Sequence, residues 1–134
     1  MTLRVTDQGF SPAPLQVATP ILTATSEDQV LLLANSDDPA LAVPFFTHAT
    51  EIQITFPSFS DGRGFTLARL LRNLGYAGRL IAKGHVLADQ YAMARRAGFD
   101  EVEIPDDLAA RQPQDQWLAR ANWRDHDYQS RLRS

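Results

Sequence analysis

Cysteine is absent from the 134 residues, which excludes disulfides, zinc–thiolate and iron–sulfur ligation, and thiol catalysis by this chain. The absence fits a reducing cytoplasm. Runs of one charge are lacking too. The formal net charge is -3 at pH 7, spread thinly, without the basic footprint of a nucleic-acid binder. No apolar run approaches the length of a signal-peptide core or a membrane span. His48, His85 and His126 stand far apart, without the His-x-His or His-Glu-x-x-His spacing of a metal centre. Gly62-x-Gly64 lacks the third glycine and the downstream acid of a dinucleotide turn, and no Walker lysine, nucleophile elbow or Ser-x-x-Lys occurs. These gaps predict a cytoplasmic protein with no membrane or nucleic-acid partner, no metal and no cofactor.

What the chain does have is concentrated in one stretch. Glu51-Ile52-Gln53-Ile54-Thr55-Phe56 alternates polar and apolar residues, the period of a strand. Leu67, Leu70, Leu71 and Leu74 fall at i, i+3, i+4 and i+7, one stripe on a helix. Between them Pro57 stops the ladder, Asp61 can cap the helix, and Gly62 and Gly64 allow a tight turn that presents N–H groups outward. A strand-to-helix turn lies at the carboxyl end of its strand, the edge where open α/β sheets bind ligands.

On either side the chain repeats the pattern. Val30–Ala34 reads as an interior strand, and Asp38-Pro39 as the cap and first residue of a short helix over 41–48. Leu80-Ile81-Ala82 predicts the next strand, about 86–97 a helix, and Glu101–Ile104 a strand with an exposed acidic face. Arg72-x-x-Gly75-Tyr76 and Arg95-x-x-Gly98-Phe99 end both helices alike. A further helix is expected from Gln114 to about Tyr128, with Trp123 half-exposed or at a partner contact.

The prediction is one α/β domain over 29–128, with a mainly parallel four- to five-stranded sheet of successive βα units and helices on both faces. A flattened half-barrel of βα units is the alternative. Residues 1–28 form an N-terminal extended arm or hairpin, and 129–134 a frayed tail.

The candidate binding residues are Asp61, Gly62, Arg63, Gly64, Lys83 and His85. Helix N-terminal N–H groups favour oxyanions, and Arg63 supplies a planar two-pronged donor. Lys83 and His85 end the following strand, so the two turns can converge on one cationic pocket. Asp89 and Gln90 can orient Arg63 from behind or face solvent. The competing reading has Arg63 held by Asp61 or Asp89 as a purely structural clamp.

The blocks Phe56-Pro-Ser-Phe-Ser-Asp-Gly-Arg63, Ala68-Arg-Leu-Leu-Arg72, Gly75-Tyr76, Gly84-His-Val-Leu-Ala-Asp-Gln90 and Arg96-Ala-Gly-Phe-Asp100 together resemble a bacterial family, domain of unknown function 934. The resemblance covers about residues 51–104, with Val30–Asn35 and Tyr128-Gln129 as weaker echoes. His85 stands where that family usually has Asp, and Ala97 where it often has Cys, so no thiol role can operate here. Members are commonly labelled accessory proteins or oxidoreductases of sulfite reduction. The resemblance therefore implies an accessory protein that binds an oxyanion, sulfite reductase or another sulfur-assimilation enzyme. A small enzyme working through His85 is the second expectation, and a structural or homodimerisation module the third.

Overall fold

A computed structural model describes residues 2–14 and 17–126. Within them lie the strands β1 (Thr2–Thr6), β2 (Gly9–Pro12), β3 (Thr19–Pro20), β4 (Val30–Leu33), β5 (Glu51–Phe56), β6 (Arg79–Gly84) and β7 (Glu101–Pro105). The helices are α1 (Arg63–Asn73), α2 (Tyr91–Ala97), α3 (Asp106–Arg111) and α4 (Gln114–Leu118), with 3-10 turns at Ile21–Thr23, Pro39–Phe45, Ala88–Gln90 and Trp123–His126. The predicted tail 129–134 and the Tyr128-Gln129 echo lie outside the described residues.

All strands join one sheet in the order β2-β1-β7-β6-β5-β4-β3. The run β3 to β7 is parallel, as the βα alternation predicts. The sheet is nevertheless larger than four or five strands, and it is mixed. Asp7-Gln8 turns β1 back into β2, and the two strands of such a hairpin must be antiparallel. β1 then pairs antiparallel with β7, covering an edge that would otherwise offer unpaired backbone groups. β3 adds only two residues, and Pro20 is tolerated there because the strand is an edge.

The expectation of helices on both faces is also corrected. Leu31, Leu33, Ile52, Ile54, Phe56, Leu80, Ala82, Val102 and Ile104 share one face by register and one core with Phe65, Leu71, Tyr91, Leu108 and Trp117 from the four helices. Consecutive parallel strands are spatial neighbours throughout, so right-handed crossovers all return on the same side. Helices reach both sides only where strand order reverses, and here it does not. The parallel strands are thus laid down in chain order with their helices on one side.

Helix ends explain the near-repeat in the sequence. Arg72 Nη1 donates to Tyr76 O at 2.9 Å, and Arg95 Nη1 to Phe99 O at 2.7 Å. Each arginine thus satisfies a carbonyl just beyond its own helix, past a glycine at φ 105° or 116° that side chains would disfavour. Arg72 goes further, donating to Gly78 O, Gly98 O and Asp100, which ties the two helix ends together.

Two helices differ from expectation. The segment after Asp38 is a 3-10 helix with Pro44 inside, where a missing N–H disfavours α-helix. Asp38 does cap it, accepting Ala40 N–H at 2.9 Å. The helix expected from Gln114 is α-helical only as α4, to Leu118, and is followed by a 3-10 turn at Trp123–His126; its expected end at Tyr128 lies outside the described residues. α3 precedes it, set apart because Gln112 leaves helical geometry and Pro113 starts α4 afresh.

Candidate functional site

Pro57 follows β5, and residues 58–62 carry the chain into α1. The Ser58 and Ser60 hydroxyls lie 3.0 Å apart and Ser60 N–H donates to Ser58 Oγ, so the serines shape the turn. Asp61 engages Arg63 by backbone and side chain. Its Oδ1 accepts the Arg63 backbone N–H at 3.1 Å, Nε donates to the carboxylate at 3.0 and 3.2 Å, and Nη2 at 2.7 Å. This pairing holds the Asp61 carboxyl well below the usual carboxylate range. The Asn35 amide lies close enough to assist, yet its buried Nδ2 reaches no acceptor in hydrogen-bond geometry. Arg63 Nη1 has no acceptor among the described residues, and the side chain is 63% exposed.

Gly64 and Phe65 do not present free N–H groups together. A Cβ on Gly64 would stand 2.4 Å from the Phe56 ring, so glycine lets α1 close on the aromatic core. That core stacks Phe56, Phe65 and Phe99 at centroid separations of 5.0 to 6.4 Å. The Phe65 N–H donates to Gly62 O.

Among the described residues neither Lys83 nor His85 pairs with Arg63, and neither lines the cavity beside it. Lys83 shares the register phase of Arg79 and Ile81, on the sheet face opposite the helices, and its Nζ lies 3.7 Å from Glu103. Arg63 begins a helix on the other face. His85 stands past Gly84 with its ring edge-on to Phe59, centroids 5.1 Å apart. Asp89 pairs with Arg120 at 2.6 Å, not with Arg63. Gln90 accepts Leu87 N–H and donates to Phe59 O, both at 2.9 Å, clipping the turn after β5 to the turn after β6.

Beside Arg63, between the loop after β4 and α1, lies a cavity of about 240 Å³. Asn35, Arg63 and Thr66 give it a polar end, Pro39, Leu67 and Leu70 an apolar floor, and Asp37 part of the wall. Its position at the carboxyl edge is the expected one; its neighbours on the β4 side are not.

Sequence reasoning missed the opposite face. Arg4 donates to Glu51 at 2.8 and 2.9 Å and to Glu103 at 3.0 Å. Gln53 donates to Glu51 at 2.8 Å, and Arg79 bridges Glu51 and Glu101. Glu51 is fully buried and Glu103 nearly so, so the acidic face expected on β7 is not exposed. The polar phase of β5 was the available signal, but Arg4 lies 47 residues away in sequence. Trp123 is also committed internally: Nε1 donates to Asp7, and the Arg95 and Arg124 guanidiniums each lie 4.8 Å from its ring centre.

Among the described residues no helix is long and apolar enough to cross a membrane. No curated protein and no solved structure matches the chain. A family model does match residues 30–134, carrying the turn, both helix stops and the cavity, and by that match the chain belongs to the bacterial proteins of unknown function DUF934.

Proposed function

We propose that the chain is an accessory protein of assimilatory sulfite reduction that works by binding its partner enzyme rather than by catalysis. The observation that supports this reading is that the carboxyl-edge groups do not converge on one pocket. Asp61 pairs with Arg63, the exposed Asp89 pairs with Arg120, and the exposed His85 lies edge-on to Phe59, with neither Asp89 nor His85 lining the cavity beside Arg63. General acid–base work needs a titratable group poised over a substrate, whereas the carboxylate lining the cavity, Asp37, accepts the Ala34 N–H, and the rest of the lining is largely apolar. The association with sulfite reduction comes from the labels commonly given to members of the family that the sequence resembles; the matching family model itself assigns no function. Retention of purified sulfite reductase on the immobilised protein is the expected result. A reductase that is neither retained nor altered in turnover removes the reading.

A second reading keeps the oxyanion. Asp61 occupies the Nε–Nη2 edge of Arg63 and leaves Nη1 free for one oxygen of sulfite, sulfate or phosphate. Arg63→Lys then weakens binding, because an ammonium point charge cannot hold Asp61 along one edge and present a second, fixed donor to the anion. If none of the three anions binds the wild type at millimolar concentration, Arg63 is a structural clamp.

A further inference from the structure

The dipeptide Asp61-Gly62 carries a chemistry that neither reading above uses. We propose that it is a latent site of aspartyl isomerisation, and that the Arg63 side chain holds the reaction off.

In an Asp-Gly pair the glycine backbone nitrogen can attack its neighbour's carboxyl carbon, because no Cβ shields that nitrogen. Here a bond would form between Gly62 N and Asp61 Cγ. The nitrogen gives up its proton to solvent, and the carboxyl hydroxyl departs with a proton as water. Water then opens the five-membered imide at either carbonyl, restoring aspartate or leaving isoaspartate. No oxidant or further reactant is needed. Isoaspartate would lengthen the backbone of the turn by one carbon and draw the carboxylate away from Arg63 at the start of α1.

The nucleophile is unhindered at this position. Asp61-Gly62 is the one place in the sequence where aspartate or asparagine precedes glycine. Gly62 is exposed, and its N–H makes no hydrogen bond among the described residues. Beyond its chain neighbours, a Cβ there would meet only the Phe65 ring, 4.0 Å away.

The carboxyl is the part under restraint. Arg63 Nε and Nη2 hold its two oxygens at 2.7 to 3.2 Å, beside the bond from the Arg63 backbone N–H. That grip opposes cyclisation in two ways. It fixes the side chain, which must swing towards Gly62 N. It also keeps the carboxyl ionised, well below its usual range. A carboxylate is a poor electrophile, because it has no hydroxyl to lose as water. Arg63→Ala removes the side-chain grip, leaves the backbone bond, and at a residue 63% exposed spares the core.

The test incubates folded wild type, Arg63→Ala and Arg63→Lys for weeks at neutral pH. Isoaspartate at position 61 is read by electron-based fragmentation of the chymotryptic peptide, and by labelling with an isoaspartyl methyltransferase. Each rate is divided by that of the same chain unfolded in urea, which removes any effect of sequence alone. The expected result is several-fold faster isomerisation in Arg63→Ala than in the wild type. Arg63→Lys should fall between them, because an ammonium supplies charge without the fork. Circular dichroism checks that the variants are folded; if Arg63→Ala is not, Arg63→Lys carries the comparison. Equal rates in the folded wild type and variants overturn the proposal. So does a variant that stays as inert as the wild type while its unfolded chain isomerises, since backbone geometry would then be the protection.

Discussion

Glu51 is the residue on which the charged face of the sheet depends. Burial would raise its pKa, but hydrogen bonds from Arg4 and Gln53, with the charges of Arg4 and Arg79, outweigh burial and lower it. A depressed folded pKa means its contribution is fully present above the ordinary value of 4.5 and is lost as pH falls through the folded value. Glu51→Ala should cost about 3–5 kcal/mol in urea unfolding at neutral pH, since it leaves both terminal nitrogens of the buried Arg4 guanidinium without an acceptor and only Glu103 still paired to it. The wild-type advantage over Glu51→Ala should shrink below pH 4.5; an advantage that is flat with pH would show that Glu51 matters for packing alone. Little of this was legible in the sequence. Alternation placed Glu51, Gln53 and Thr55 on one phase of a strand, but phase cannot say whether water or another strand's arginine faces them. Arg63 shows the converse. Its place at the carboxyl edge was readable from strand, turn and helix, while its pairing with Asp61 two residues away was one of two open readings.

At the scale of elements, local signals were read well where the cause is local. The glycine-aromatic helix stops recur because the same arginine-to-carbonyl bond closes both, and the βα alternation gave the strands their parallel sense but not their order. Gly64 was legible as a necessity but not for its reason, which lies in the Phe56 ring. Gly64→Ala should therefore destabilise by about 1–3 kcal/mol, as overpacking does, measurable as a lowered Tm with anion binding unaffected per folded molecule. Arg72→Ala should cost about 2 kcal/mol, because several carbonyls of two helix ends lose their donor at once. Hydrogen exchange then tells where the loss falls. The amides following Gly75 and Gly98 should lose protection together, and loss at one end alone would break the proposed tie.

For the molecule as a whole, the N-terminal hairpin decides whether the one-sided sheet is stable. It lies outside the 30–134 family match, yet it supplies Arg4 to Glu51 and Glu103 and covers the edge of β7. Asp7 in its turn fastens it to the helical side, accepting from Tyr91 Oη at 2.5 Å and from Arg95 and Trp123 at 3.3 Å. Burial opposes ionisation of Asp7, but those three donors prevail and lower its pKa. Its contribution is thus present above 3.8, the ordinary value, and lost in acid. A chain lacking residues 1–12 should unfold at much lower urea than the intact protein and associate through the bared β7 edge. Two causes are mixed in that loss, and single substitutions separate them. Arg4→Leu keeps the hairpin but leaves the buried Glu51 with Gln53 and Arg79 alone, so it should cost several kcal/mol at pH 7 and less near pH 4, where protonation of Glu51 relieves it. Asp7→Asn keeps Arg4 but loosens the clasp, costing about 1–2 kcal/mol. If Arg4→Leu is as stable as the wild type at pH 7 while the truncated chain still associates, the hairpin acts only as an edge cover, and the charge network contributes nothing to holding it.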